Sequence, residues 1–202
     1  MRLCSYIVKY DLGVAPNPFG EYCTLAICTP NHMGVKLNKG DWIMGTETAA
    51  RGNKLIYAMK VDEVLSFDRY YNDPRFEYKK PRKDGTWVEQ SGDNMYFKDE
   101  TGVWRQHPTI HHTSPEDMKK DLRYPKVFIA KWFYYFGKNA VTIPEAYQAL
   151  IKRRQGCTCD HKDMDVVDGF LNWLQQNFKP GRHGEPHDRP RGTSAPISLS
   201  FS

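Results

Sequence analysis

Short apolar segments rich in aromatic and β-branched residues run through this chain, and turn-forming residues separate them. Phenylalanine, tyrosine and tryptophan make up 13% of the 202 residues, alongside 15 glycines and 13 prolines. Aromatic and β-branched side chains favour strands, and frequent glycine and proline end those strands early. The sequence therefore predicts a domain built on β-sheet rather than a helix bundle.

Length and charge exclude several classes of protein. A chain of 202 residues can bury a core without metal ions or disulfides. No stretch approaches the roughly 20 apolar residues of a membrane helix, and the first residues lack the apolar core of a signal peptide. We therefore expect a cytoplasmic protein with reduced cysteines, no membrane partner and no cofactor. A net charge of +5 permits an anionic partner without identifying one.

Periodicity and turn residues divide the chain into predicted elements. Alternating or continuous apolar patterns predict strands over residues 3–10, 22–28, 42–45, 55–65 and 126–136, with short strands at 86–88, 94–97 and 102–105. Helical patterns are predicted over residues 68–72, 142–154 and 163–178. Residues 1–186 read as one domain, and residues 187–202, rich in Pro, Gly, Ser and Arg, as a poorly ordered tail.

One local pattern points to a fold. A Gly40-Asp41 turn opens an apolar segment at Trp42, and a second apolar segment ends at the acidic pair Asp62-Glu63. This order resembles the small-barrel superfamily that includes the PUA, ASCH, EVE and YTH domains. The resemblance implies an α+β fold, a PUA/EVE-like twisted β-barrel with flanking helices. Members of that superfamily read single bases in an aromatic pocket or along the barrel face.

A second resemblance extends over about residues 1–186. The segments APNPFG, YCTLA, NDPRF, GDNMY and FYYFGK occur in that order, at residues 15–20, 22–26, 72–76, 92–96 and 133–138. Together they resemble the second of the nucleotide-modification-associated domain families of bacteria and phages. The resemblance implies a nucleotide or modified nucleobase, possibly within DNA, as ligand in a DNA-modification or defence system. It implies no catalytic residue.

Candidate base-binding residues lie in the loops and strands of these segments. An amide such as that of Asn17 pairs with a base edge, and an aromatic ring such as Phe19 or Tyr135 stacks on a base face. A plainer interpretation makes the aromatics core residues and the Asp and Asn side chains turn formers. The predicted set is Asp11, Asn17, Phe19, Trp42, Gly45, Thr46, Asn94, Tyr135 and Gly137.

Basic clusters suggest a rim for phosphate groups. If they converge in space, they would follow a nucleic-acid backbone and make binding salt-dependent. The alternative is that they are solvated faces. The predicted rim is Lys79, Lys80, Arg82, Arg153 and Arg154.

The cysteines and histidines give weaker signals. Cys157, Cys159 and His161 supply at most three ligands in a spacing unlike that of structural zinc sites, so no metal is predicted. Cys23 lies within a predicted strand, which makes it a weak candidate nucleophile. A histidine general base among His107, His111 and His112 is the alternative to three surface histidines.

Three functions remain open at this point. The favoured one is binding of a nucleotide or modified base. The second is an enzyme that modifies a nucleobase or nucleotide, and the third is a sponge protein that sequesters a signalling nucleotide. The common phosphate-loop, dinucleotide, hydrolase and deaminase motifs are absent from the sequence.

Overall fold

The computed structural model describes residues 1–109 and 111–188, and eleven strands lie in this part of the chain. They are β1 (Leu3–Ile7), β2 (Cys23–Leu25), β3 (Trp42–Thr46), β4 (Leu55–Lys60), β5 (Glu63–Ser66), β6 (Tyr96–Lys98), β7 (Trp104–Gln106), β8 (Lys126–Ala130), β9 (Phe133–Tyr135), β10 (Cys157–Thr158) and β11 (Gly181–Arg182). Most of the predicted tail, residues 189–202, lies outside the described residues.

The largest sheet has six strands in the order β10-β1-β3-β4-β9-β11. Its centre is mixed: β1 runs parallel to β3, and β3 and β9 are antiparallel to β4. A second sheet, β2-β8-β5, is antiparallel throughout, and β6 and β7 form a two-stranded hairpin. None of these three sheets closes on itself within the described ranges. The α+β class is therefore confirmed, and the expected barrel is not.

Helices cover the large sheet on one side and the smaller sheets on the other. They are α1 (Phe67–Asn72), α2 (Trp87–Gln90), α3 (Pro115–Asp121) and α4 (Met164–Asn177), with 3-10 turns at Asn31–Met33, Ala49–Arg51, Pro74–Lys79, Gly137–Asn139 and Glu145–Leu150. Helix α4 buries Val167, Phe170, Leu171 and Leu174 against Trp42, Met44 and Tyr134 of the large sheet. None of the helices described is long and apolar enough to span a membrane.

Two long predicted strands are each divided in the structure. The prediction over residues 55–65 becomes β4 and β5, and that over 126–136 becomes β8 and β9, with each half in a different sheet. The chain turns at Asp62, whose amide donates to the Ile129 carbonyl and whose carboxylate accepts from the Lys131 amide at 2.6 Å. Both segments therefore cross from one sheet to the other at the same place.

Two further predictions of secondary structure were wrong. Residues 86–88 form no strand, because Thr86 caps α2 in a reciprocal capping box with Glu89. Residues 142–154 form only the 3-10 turn Glu145–Leu150, whose N-terminal Pro144 makes no side-chain cap. The predicted helix over 163–178 is confirmed as α4, with the Asp163 carboxylate accepting the Val166 amide.

Candidate functional site

Asn17 lies at the centre of a buried polar network between the Pro-rich loop, residues 11–20, and the 3-10 turn Pro74–Lys79. The Lys79 ammonium donates to the Asn17 side-chain oxygen at 2.7 Å, to its carbonyl at 3.0 Å and to the Tyr22 carbonyl at 2.7 Å. The Asn17 amide in turn donates to the Ser91 carbonyl at 2.9 Å. Lys79 is therefore buried, and all three of its N–H groups donate hydrogen bonds that hold this loop in place.

Asp93 is the buried carboxylate that faces this lysine. It accepts hydrogen bonds from the Thr24 hydroxyl and the Tyr70 hydroxyl, both at 2.7 Å. Burial lowers the pKa of Lys79 to about 8, against the opposing attraction of Asp93. Burial also raises the pKa of Asp93, against the attraction of Lys79. Burial therefore disfavours the charged form of both groups, although each charge stabilises the other.

A second buried polar contact joins Asp11 to the large sheet. The Tyr135 hydroxyl lies 2.7 and 2.8 Å from the two Asp11 carboxylate oxygens. The amide of His187 also reaches this carboxylate, at 3.2 Å, and the amide of Asp188 reaches the Asp11 carbonyl at 2.8 Å. Burial raises the pKa of Asp11, with the Tyr135 hydrogen bond opposing it. Two of the predicted residues, Asp11 and Tyr135, therefore meet directly.

The remaining predicted base-binding residues are also buried. Phe19 packs edge-on against Trp87, Trp42 stacks on Tyr134 beneath α4, and Asn94 donates to the Tyr70 and Phe76 carbonyls. A Cβ at Gly45 would meet the Tyr57 ring, and one at Gly137 would meet the Glu185 backbone. The Thr46 hydroxyl is buried and has no hydrogen-bond partner in the described ranges. These side chains present no aromatic face to solvent as the structure places them.

The predicted basic rim separates into two groups. Lys79 is buried, Lys80 pairs with Glu77 at 2.6 Å, and Arg82 pairs with Glu89 at 3.0 Å. Arg153 and Arg154 are exposed, and neither has a hydrogen-bond or ion-pair partner among residues 1–109 and 111–188. Only this second group is available to an anion without first breaking an ion pair.

Arg153 and Arg154 line the rim of a cavity of about 440 Å³. It lies between β1, β10 and the 3-10 turn Glu145–Leu150. The His161 ring nitrogen, 3.1 Å from the Ser5 hydroxyl, contributes its polar wall, and burial lowers the pKa of this histidine. The whole lining comprises Ser5, Gln148, Ala149, Leu150, Ile151, Lys152, Arg153, Arg154, Thr158 and His161.

The cysteine cluster differs from the sequence-based expectation. Cys4 of β1 is bonded to Cys159 in a disulfide, so the expectation that every cysteine is reduced was wrong. The sulfurs of Cys4, Cys157 and Cys159 lie within 4.8 Å of one another, a spacing that could hold a metal ion in the reduced protein. The sequence could not show that Cys4 joins this group, because 155 residues separate it from Cys159. His161, the expected third ligand, contacts Ser5 instead.

The sequence analysis did not identify a further group of polar side chains that the fold brings together. Cys28, His112 and Asp121 follow one another in hydrogen-bond contact, with His32 and Tyr96 also bonded to Asp121. The His32, His112 and Asp121 ligand atoms lie within 4.8 Å of one another. The Asp121 carboxylate is hydrogen-bonded to both imidazoles. Sequence analysis considered His112 as a general base and Cys23 only as a weak nucleophile, and burial raises the pKa of the Cys23 thiol to about 12.

Comparison with known proteins gives a family but no characterised relative. No curated protein and no solved structure is significantly similar to the chain. The suggested relationship to PUA and ASCH domains is not confirmed. The family described as nucleotide modification associated domain 2 matches residues 1–191, nearly the full length, and the chain belongs to this family.

Proposed function

We propose that this protein binds the phosphate groups of a nucleotide or nucleic-acid strand at the cavity beside Arg153 and Arg154. The family associates the chain with nucleotide modification. The observation that carries the proposal is that these two guanidiniums are exposed, unpaired within the described ranges and placed at the rim of a cavity. Guanidinium groups bind phosphate in bidentate geometry.

The finer parts of the proposal come from the sequence. They are recognition of a modified base, a cytoplasmic phage or bacterial DNA-modification or defence setting, and a PUA-like fold. The predicted base-binding residues stay predictions. Because Asn17, Trp42 and Tyr135 are buried, a base could reach them only after the surrounding loops move apart.

Fluorescence anisotropy with a labelled single-stranded oligonucleotide tests the proposal. We expect affinity to fall linearly with the logarithm of salt concentration, because phosphate binding releases counterions. Replacing Arg153 and Arg154 together by Ala should reduce the salt slope by about 1–2 and weaken binding about tenfold or more at low salt. Unlabelled mononucleotide as competitor separates a nucleic-acid reader from a sponge for free nucleotides.

The matched control is the double variant Lys80→Ala with Arg82→Ala. It removes the same charge from a site whose cations already pair with Glu77 and Glu89. We expect it to bind nearly as well as the wild type. Equal losses in the two double variants would show that net charge, and not this cavity, governs binding.

A further inference from the structure

Cys28 and His112 are in contact and both have unusual backbone geometry. The Cys28 sulfur lies 3.3 Å from His112 Nε2, within hydrogen-bond distance for sulfur. Their φ angles are 69° and 51°, and they are two of three non-glycine residues with positive φ in the described ranges. Such conformations are costly and concentrate at functional sites. The fold therefore holds a thiol and an imidazole together at the expense of backbone strain.

The other nitrogen of His112 is held by a buried carboxylate. His112 Nδ1 lies 2.6 Å from Asp121 Oδ2, and the Asp121 side chain is fully buried at the end of α3. The Tyr96 hydroxyl donates to the same oxygen at 2.6 Å, and His32 bonds the other oxygen. These contacts fix the carboxylate, which in turn fixes the orientation of the imidazole ring.

The pKa values of His112 and Asp121 are shifted by the contacts between them. Burial would lower the pKa of His112, but its hydrogen bonds to Asp121 and Cys28 outweigh burial and raise that pKa to about 10. Burial likewise opposes ionisation of Asp121, but the hydrogen bonds from His112 and His32 hold its pKa below the usual range. A histidine ring hydrogen-bonded to a cysteine sulfur is the arrangement that activates the sulfur as a nucleophile.

We propose that Cys28, His112 and Asp121 form a catalytic site for acyl transfer, with Cys28 as nucleophile, His112 as acid and base, and Asp121 as its positioning residue. Cys28 and His112 are half-buried residues, whereas Cys23 is fully buried in β2. The substrate class is a carboxylic ester or amide, since a thiolate with an imidazole partner forms and hydrolyses a thioester without a metal ion. This inference goes beyond phosphate binding at the cavity and does not depend on it.

The reaction balances with water as the only co-substrate. The Cys28 thiolate attacks the carbonyl carbon, and the His112 imidazolium gives its proton to the departing alcohol or amine as the C–O or C–N bond breaks. A thioester on Cys28 and a neutral imidazole remain. His112 then takes a proton from water, whose oxygen attacks the thioester carbon. The C–S bond breaks, the carboxylic acid leaves, and the thiolate and imidazolium are restored.

The test uses p-nitrophenyl acetate with the full-length protein, its Cys4–Cys159 disulfide intact, and follows p-nitrophenolate release and intact mass. We expect a burst of one p-nitrophenolate per protein and an acetyl group on Cys28, located by peptide mass spectrometry. Cys28→Ala should abolish the burst. His112→Asn should slow acylation by about 10²–10⁴-fold, the range of general acid–base catalysis.

Cys157→Ala is the matched control, because Cys157 is also a half-buried thiol free of the disulfide. Its burst should equal that of the wild type.

If Cys28→Ala fails to fold, competitive alkylation of the wild-type protein by iodoacetamide at pH 6 tests whether Cys28 is the reactive cysteine. Cys28 should then react at least tenfold faster than Cys157. Equal reactivity of the two cysteines, an unchanged rate in His112→Asn, or a stoichiometric metal ion bound to Cys28 would each overturn the proposal.

Discussion

Lys79 shows how a residue expected on the surface becomes part of the core. In the sequence it begins a basic cluster, Lys79-Lys80-Pro81-Arg82-Lys83, which is typical of a solvated face. In the structure the 3-10 turn Pro74–Lys79 directs its side chain inward, where carbonyl and amide oxygens of Asn17 and Tyr22 accept its hydrogen bonds. An isolated buried ammonium would be far too costly without such partners. The contact with Asn17 therefore holds the Pro-rich loop in place.

This burial predicts an unusual dependence of stability on pH. The pKa of Lys79 is about 8 in the folded protein and near the ordinary 10.5 when unfolded. Between these values the unfolded state binds more protons, so the free energy of unfolding rises with pH, by on the order of 1–3 kcal/mol. The gain in the free energy of unfolding is complete once the pH exceeds the pKa of Lys79 in the unfolded protein. It is absent below the pKa of Lys79 in the folded protein.

Urea unfolding of the wild type and Lys79→Met from pH 7 to 10 measures this effect. The difference between the two free energies of unfolding is the informative quantity. Buried tyrosines such as Tyr6 and Tyr57, whose pKa values burial raises, affect both proteins alike and cancel in the difference. A difference that stays flat or falls across this range would contradict the assignment of Lys79 as a desolvated ammonium.

At the scale of elements, α4 was predictable because several local signals agree. Its apolar residues recur at helical spacing, Asp163 is a good N-cap, and Pro180-Gly181 follows its end. The strands over 55–65 and 126–136 could not be divided in advance, since continuous apolar sequence gives no sign of a change of sheet. Their division depends on Asp62, which bonds to both segments at the turn.

The packing of α4 gives a prediction of stability. Leu174 is fully buried against the large sheet, and its neighbour Gln175 is exposed. Leu174→Ala should lower the free energy of unfolding by about 2–5 kcal/mol, because it leaves a cavity that the sheet cannot fill. Gln175→Ala should change it by no more than about 0.5 kcal/mol. Urea unfolding at neutral pH measures both, and similar values would mean that α4 is not packed as described.

At the scale of the whole molecule, the sites depend on contacts that no local pattern reveals. Asp11 and Tyr135 were both predicted, but their contact spans 124 residues. Cys28 and His112 are 84 residues apart, and neither lies in a recognisable motif. Sequence reasoning identified polar and aromatic residues of the right types, yet it could not pair them. Cys23 was rightly a weak candidate, since it is buried in β2, whereas no pattern in the sequence singled out Cys28.

The C-terminal segment packs against the turn that follows β9, and Gly137 lies at this contact. The His183 amide donates to the Tyr135 carbonyl at 2.7 Å, and the Lys138 amide donates to the Glu185 carbonyl at 2.8 Å. Gly137 has a φ of 54°, and a Cβ there would overlap the backbone of Glu185. The glycine therefore allows both the positive φ of the turn and the close approach of the C-terminal backbone.

Gly137→Ala should accordingly destabilise the protein more than an alanine at an unobstructed turn. Gly102 is the matched position, because its φ is 80° and no atom lies within 4 Å of the point that a Cβ would occupy. Gly102→Ala should cost only the conformational strain of about 1–2 kcal/mol. Gly137→Ala should add about 1–3 kcal/mol for the overlap and should speed amide exchange at Lys138 and His183. Equal losses in urea unfolding, with unchanged exchange at these amides, would mean that the C-terminal segment does not pack on Gly137.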